Sequence, residues 1–138
     1  MKILVTGGLG FIGSNFILKL LKNDDIEITN IDAELYGSDH QNLSEVKNSD
    51  KYNFVKGNIS NKKLMEEQIS KCDAVVNFAA ESHVDRSIND ANPFLVSNIR
   101  GAFTILDIIT KQKKRLVQIS TDEVFGSLLN NTADEQAK

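Results

Sequence analysis

The chain has a single cysteine, Cys72, so no disulfide can close within its 138 residues, and a reducing compartment is expected. Cys72 also has no Cys or His neighbour at metal-ligand spacing, which makes it a structural residue and leaves no metal site. No stretch reaches membrane-spanning length, and the opening MKILVTGG lacks the apolar run of a signal peptide. A cytoplasmic protein without a membrane partner is expected. Positive charge is not in excess: 16 Lys and Arg against 19 Asp and Glu give a net charge of −3, which offers no electrostatic footprint for nucleic acid. Repeats, low-complexity tracts and linker-like stretches are missing too. Tyr36–Asp50, the most polar internal region, reads as a surface excursion and not as a boundary. What remains is one domain, 1–138, with enough apolar residues (41%) to build a core.

Within it, apolar runs alternate with segments of helical period. KILVT (2–6), IEITNID (26–32), YNFVKG (52–57), DAVVNFAA (73–80) and RLVQIS (115–120) read as strands. Phe11–Lys22 places Phe11, Ile12, Phe16, Ile17, Leu20 and Leu21 near one helical face. Ser60 is the expected N-cap of a helix running to about Ser70. Pro93 suits the first turn of a helix reaching to about Lys111. This alternation predicts an α/β fold, a doubly wound parallel sheet with helices on both faces, and near-continuous apolar strands fit a sheet covered on both sides. Such sheets bind ligands beyond the carboxyl ends of their strands. Residues 7–13, 79–87 and 121–126 all follow strand ends.

TGGLGFIG (6–13) lies between the first strand and the first helix. Glycines 8, 10 and 13 satisfy G-x-G-x-x-G, glycines 7, 10 and 13 satisfy G-x-x-G-x-x-G, and spacing does not choose between them. In either register the backbone approaches a pyrophosphate closely, at a helix N-terminus that favours an anion. Asp32, 19 residues beyond Gly13 and at the end of the second strand, stands where a ribose-binding acid is expected. Its charge also argues about the cofactor. Two like charges about 4 Å apart repel by about 4 kcal/mol at an effective dielectric near 20, roughly a thousandfold in affinity. No Lys or Arg lies between Ile31 and Tyr36 to offset this, so NAD is favoured over NADP.

ISTDEVFG (119–126) sets two acids, Asp122 and Glu123, directly after an apolar run, where an unneeded carboxylate is costly. Neighbouring residues of a strand point to opposite faces, so the two acids can serve one ligand only if extended geometry ends around Thr121.

Together TGGLGFIG, AAESHVDRSI (79–88) and STDEVFG (120–126) resemble the extended short-chain dehydrogenase/reductase family, a Rossmann-type NAD-binding fold, and within it the dTDP-glucose 4,6-dehydratases. The Asp-Glu pair is the most discriminating element, because the nucleotide-sugar 4-epimerases of the family typically lack adjacent acids there. The resemblance implies a lyase in nucleotide-sugar metabolism. NAD oxidises C4 of the glucose ring, water is lost across C5 and C6, and hydride returns to C6. Asp122 matches the acid that protonates the departing hydroxyl, Glu123 the base at C5, and Thr121 the hydroxyl that holds the sugar at its C4 oxygen. Such chemistry needs two carboxylates with separated pKa values. The implied cofactor contacts are Gly7, Gly10, Phe11, Ile12, Gly13, Asp32, Ala33, Asn58, Ile59, Phe78, Ala79, Ala80, Ser82 and Ser97. Ser82 and Thr121 also touch substrate, and Asn98 organises the site. His83, Asp85 and Arg86 read as a structural hydrogen-bonded cluster.

Two positions depart from the family pattern. Phe125 stands where tyrosine is usual, and Asn58 replaces an aspartate that contacts adenine, although an amide both donates and accepts. The family's Tyr-x-x-x-Lys pair and substrate domain would fall beyond Lys138. The 138 residues are therefore expected to be the N-terminal portion of such an enzyme, without turnover alone, and prone to self-associate through an apolar edge at 115–120. The long helix from Pro93 is the expected homodimer element. Alternatives are another nucleotide-sugar epimerase or decarboxylase of the family, or a non-catalytic NAD-binding module.

Overall fold

The computed structural model describes residues 1–126 together with Thr132 and Asp134; the rest of the expected 1–138 domain lies outside the described residues. Five strands, β1 (Lys2–Thr6), β2 (Glu27–Asp32), β3 (Tyr52–Lys56), β4 (Ala74–Asn77) and β5 (Arg115–Gln118), form one parallel sheet in the order β3-β2-β1-β4-β5. The chain builds outward from β1 to β3, then returns to the other side of β1 for β4 and β5. The order thus reverses beside β1, which opens a crevice at the carboxyl ends of β1 and β4.

The alternation of side chains along β1 divides the core in two. Ile3 and Val5 point to one face, where Ile17 of α1 (Phe11–Leu20) and Leu43 cover them. Leu4 points to the other and packs with Met65 and Ile69 of α2 (Lys62–Ser70) and Ile105, Ile108 and Ile109 of a later helix. The doubly wound expectation holds, with one restriction. Coverage on both faces applies to β1, β2 and β4, whereas β5 leaves Arg115, Val117 and Gln118 exposed.

Several boundaries differ from the sequence pattern for local reasons. The fourth strand stops at Asn77, not Ala80, because the Ala79 amide turns back to donate to Asn77 Oδ1 at 3.2 Å. The third ends at Lys56, the fifth at Gln118, and the first helix at Leu20 instead of Lys22. Phe11 and Ile12 do not join the sheet-facing stripe: they are 80% and 63% exposed at the open first turn of α1. Asn61, not Ser60, caps α2, its Oδ1 accepting from the Leu64 amide at 3.2 Å. The polar stretch Tyr36–Asp50 is not wholly a surface excursion, since a 3₁₀ turn at His40–Leu43 buries Leu43.

After β4 comes a short helix the pattern did not reveal, α3 (Val84–Asn89). Pro93 does lie in a first turn, that of α4 (Asn92–Phe94), but the expected long helix then widens into a π-helical segment, Leu95–Gly101, before continuing as α5 (Ala102–Gln112).

Candidate cofactor and acid–base site

The glycine turn follows from what a β-carbon would meet. Gly7 adopts φ +71°, and a Cβ there would stand 2.6 Å from the Ala79 amide nitrogen. A Cβ on Gly13 would stand 2.5 Å from the Gly7 carbonyl oxygen, whereas one on Gly10 would make an ordinary 3.4 Å contact with that same oxygen. Gly8 faces inward instead. Its amide donates to Asn30 Oδ1 at 3.0 Å, and Asn30 Nδ2 donates to the Tyr52 hydroxyl at 3.0 Å. The register left open by spacing is therefore 7, 10 and 13 toward the open side, with 8 packed into the core.

Above the turn lies a cavity of about 420 Å³, walled by residues just past the carboxyl ends of all five strands. Gly7, Gly10, Phe11, Ile12 and Gly13 form the floor beyond β1, and Asp32 and Ala33 the wall beyond β2. Asn58 and Ile59 follow β3; Phe78, Ala79, Ala80 and Ser82 follow β4; Ser97 enters from the π-helical segment. All fourteen expected cofactor positions thus line one cavity, although they span most of the sequence. Glu81 and His83, from the 79–87 stretch, also line it, and so do Ile31, Leu35, Tyr36, Gly37, Ser38, Gly57 and Ile119, which were not anticipated. The spacing of Asp32 from the glycines gave no signal for the loop after it.

Asp32, 6% exposed, does more than face the cavity. Its Oδ2 accepts from the Leu9 amide at 3.0 Å; its Oδ1 accepts from the Glu34 amide at 2.9 Å and Ser38 Oγ at 2.7 Å. The carboxylate ties the glycine turn to the loop after β2, and Oδ2 retains acceptor capacity toward the cavity. Next along, Glu34 (φ +55°) is bonded by Lys56 and by His40 Nε2, the latter at 2.7 Å, and the two hold its carboxyl below the usual range, Lys56 most strongly. Lys56, a cation on the neighbouring strand, is thereby engaged by Glu34.

Asn98 clips the loop after β4 in place. Its Oδ1 accepts from the Glu81 amide and its Nδ2 donates to the Glu81 carbonyl, both at 2.8 Å. These two bonds fix the Glu81 backbone at the cavity wall. Among the described residues no side-chain hydrogen bond joins His83, Asp85 and Arg86: His83 and Arg86 both turn to Tyr36 instead, with ring centroids of His83 and Tyr36 5.4 Å apart.

At the end of β5 the extended backbone reaches its limit at Thr121 (φ −139°, ψ 156°), and Asp122–Phe125 form a 3₁₀ turn. Thr121 Oγ1 caps the turn, accepting from the Glu123 amide at 3.3 Å, and lies 3.3 Å from Asp122 Oδ1, to which it donates. Successive side chains of a 3₁₀ turn are about 120° apart, not the 180° of a strand, which removes the difficulty of opposed faces. Thr121, Asp122 and Glu123 are exposed and stand outside the cavity wall, two residues beyond its last contributor, Ile119.

Residues 4–138 match the family model described as GDP-mannose 4,6 dehydratase. The chain belongs to this family. Among relatives, the low-salt glycan biosynthesis protein Agl12 of Haloferax volcanii is 45% identical over 129 residues, 93% of this chain and 42% of that protein. A dTDP-glucose 4,6-dehydratase of Mycolicibacterium smegmatis is 44% identical over 135 residues, covering 96% of this chain and 40% of its own. The crystal structure of DesIV, a dTDP-glucose 4,6-dehydratase from Streptomyces venezuelae solved with NAD bound, superposes with a TM-score of 0.93 at 38% identity, covering all of this chain and 45% of that one. The chain thus spans about two-fifths of the length of the curated relatives it matches.

Proposed function

We propose that this chain carries the NAD-binding part and the acid–base pair of a nucleotide-sugar 4,6-dehydratase acting on dTDP-glucose. The observation that carries the reading is the placement of Asp122 and Glu123 on a turn just past a cavity whose floor requires glycine at positions 7 and 13. The relatives' names and the NAD bound in DesIV support it. NAD bound in the cavity would supply the hydride acceptor and donor.

The chain's own residues do the rest. The amides of Gly7, Gly8, Leu9 and Gly10 are engaged within the fold, so those at the helix end of the turn, Phe11, Ile12 and Gly13, would receive the pyrophosphate, and Asp32 Oδ2 would receive a ribose hydroxyl. Asn58 would hold the adenine, with Ile59, Ser82 and Ser97 as further cofactor contacts on the cavity wall. Thr121 orients the C4 oxygen, Asp122 protonates the departing C6 hydroxyl, and Glu123 removes the C5 proton. The exposed apolar stripe Leu95, Ile99, Phe103 and Leu106 supports a homodimer through the long helical segment. A cytoplasmic setting fits the one free thiol, Cys72.

The test is the paired change Asp122→Asn with Glu123→Gln in the full-length protein. Formation of the 4-keto-6-deoxy sugar should fall by roughly 10²–10⁴-fold, while reduction of NAD at the C4 oxidation persists. Product formation at the wild-type rate, or an epimerised sugar as the product, would overturn the reading.

A further inference from the structure

The two loops that flank the glycine turn meet across the cavity. The loop after β2 carries Tyr36 and the segment after β4 carries His83 and Arg86, and both Tyr36 and His83 belong to the cavity wall. The Arg86 guanidinium carbon sits 4.4 Å from the centroid of the Tyr36 ring, and the His83 ring meets that ring edge-on, at 85°. These contacts join residues 47 and 50 positions apart, from strands on opposite sides of β1. Arg86 has no carboxylate partner among the described residues, so the ring is its principal interaction. Tyr36 is 65% exposed and lies outside both core clusters, so its ring contributes to closing the cavity and not to holding the fold.

We propose that Tyr36, Arg86 and His83 form a clasp that closes over the bound dinucleotide and slows its release, an inference that rests on the NAD reading above. Each loop is fixed at its base. Asp32 bonds to Glu34 and Ser38 on one side, and Asn98 clips Glu81 on the other. Among the described residues the tips are joined by ring and cation contacts, of the kind that give about fivefold to tenfold each in a dissociation rate. A cofactor that takes up and returns a hydride within one turnover gains nothing from exchange with solvent, and such a clasp would suit it.

The clasp is tested by loading the protein with fluorescent etheno-NAD and following its release after a chase with excess NAD. Tyr36→Leu and Arg86→Gln should each release it about fivefold to tenfold faster. Tyr36→Phe, which keeps the ring, should release it at the wild-type rate, and cofactor-free melting temperatures should not change. Release from Tyr36→Leu at the wild-type rate, or equally fast release from Tyr36→Phe and Tyr36→Leu, overturns the clasp alone. Failure of the wild-type protein to bind etheno-NAD overturns the cofactor reading and the clasp with it.

Discussion

Gly13 lies so close to the Gly7 carbonyl that a β-carbon on it would stand 2.5 Å from that oxygen. Backbone cannot yield there as a flexible side chain would. Gly13→Ala should therefore displace the turn and abolish measurable NAD binding. Gly7→Ala adds a left-handed φ to its own 2.6 Å approach and should lose about 1–3 kcal/mol of stability as well. Gly10→Ala, with an ordinary contact only, should retain binding within roughly tenfold. Calorimetric titration and thermal melting of the three variants check this order.

Asp32 gives a prediction with two readouts, since one carboxylate both bonds Leu9, Glu34 and Ser38 and faces the cavity. Asp32→Asn removes the charge and turns an NH₂ toward former donors. Stability should fall by about 1–3 kcal/mol, and the preference for NAD over NADP should shrink by at least tenfold, toward the roughly thousandfold limit set by like-charge repulsion. Denaturant melts and paired affinities measure the two effects separately.

Burial pushes the Cys72 thiol above its ordinary range, with Lys114 opposing the shift. A raised folded value means the neutral thiol is the form the fold favours. The stabilisation is complete below the ordinary thiol pKa and is lost as pH rises through the folded one. Stability should decline in that alkaline window, and Cys72→Ser should flatten the decline. Iodoacetamide should label Cys72 slowly at pH 8 and rapidly once the protein is unfolded.

The cap of α2 offers a contrast between adjacent residues. Asn61→Ala should cost about 1 kcal/mol because the Leu64 amide loses its partner, whereas Ser60→Ala should be near neutral. Chemical denaturation of the two variants is sufficient to tell.

That contrast also shows what the sequence made legible. Ser60 and Asn61 are both good caps, and only the backbone turn begun by Asn58, whose Oδ1 accepts from the Ser60 amide, decides between them. The five strands and their parallel pairing were readable because each is a short apolar run set between helical periods. That these fourteen residues share one cavity was readable through the family resemblance, which aligned residues that the sheet then gathered at its strand ends. Tyr36 was not readable, because its contacts reach across 47 and 50 residues and leave no local pattern. The helix α3 was hidden for a similar reason: it buries no residue and so lacks an apolar period. Widening of the long helix at Leu95–Gly101 escaped too. Gly101 sits there against Ile59, where a Cβ would stand 2.5 Å from that side chain, a constraint set by packing and not by helix propensity.

On the proposed reading, the cavity beyond the strand ends takes a dinucleotide against Gly7 and Gly13. Titrating the protein with NAD and with NADP in a calorimeter tests this most directly. NAD should bind saturably at one site, NADP should bind at least tenfold more weakly, and neither should give heat with Gly13→Ala. Tighter binding of NADP, or NAD binding untouched by Gly13→Ala, would contradict it.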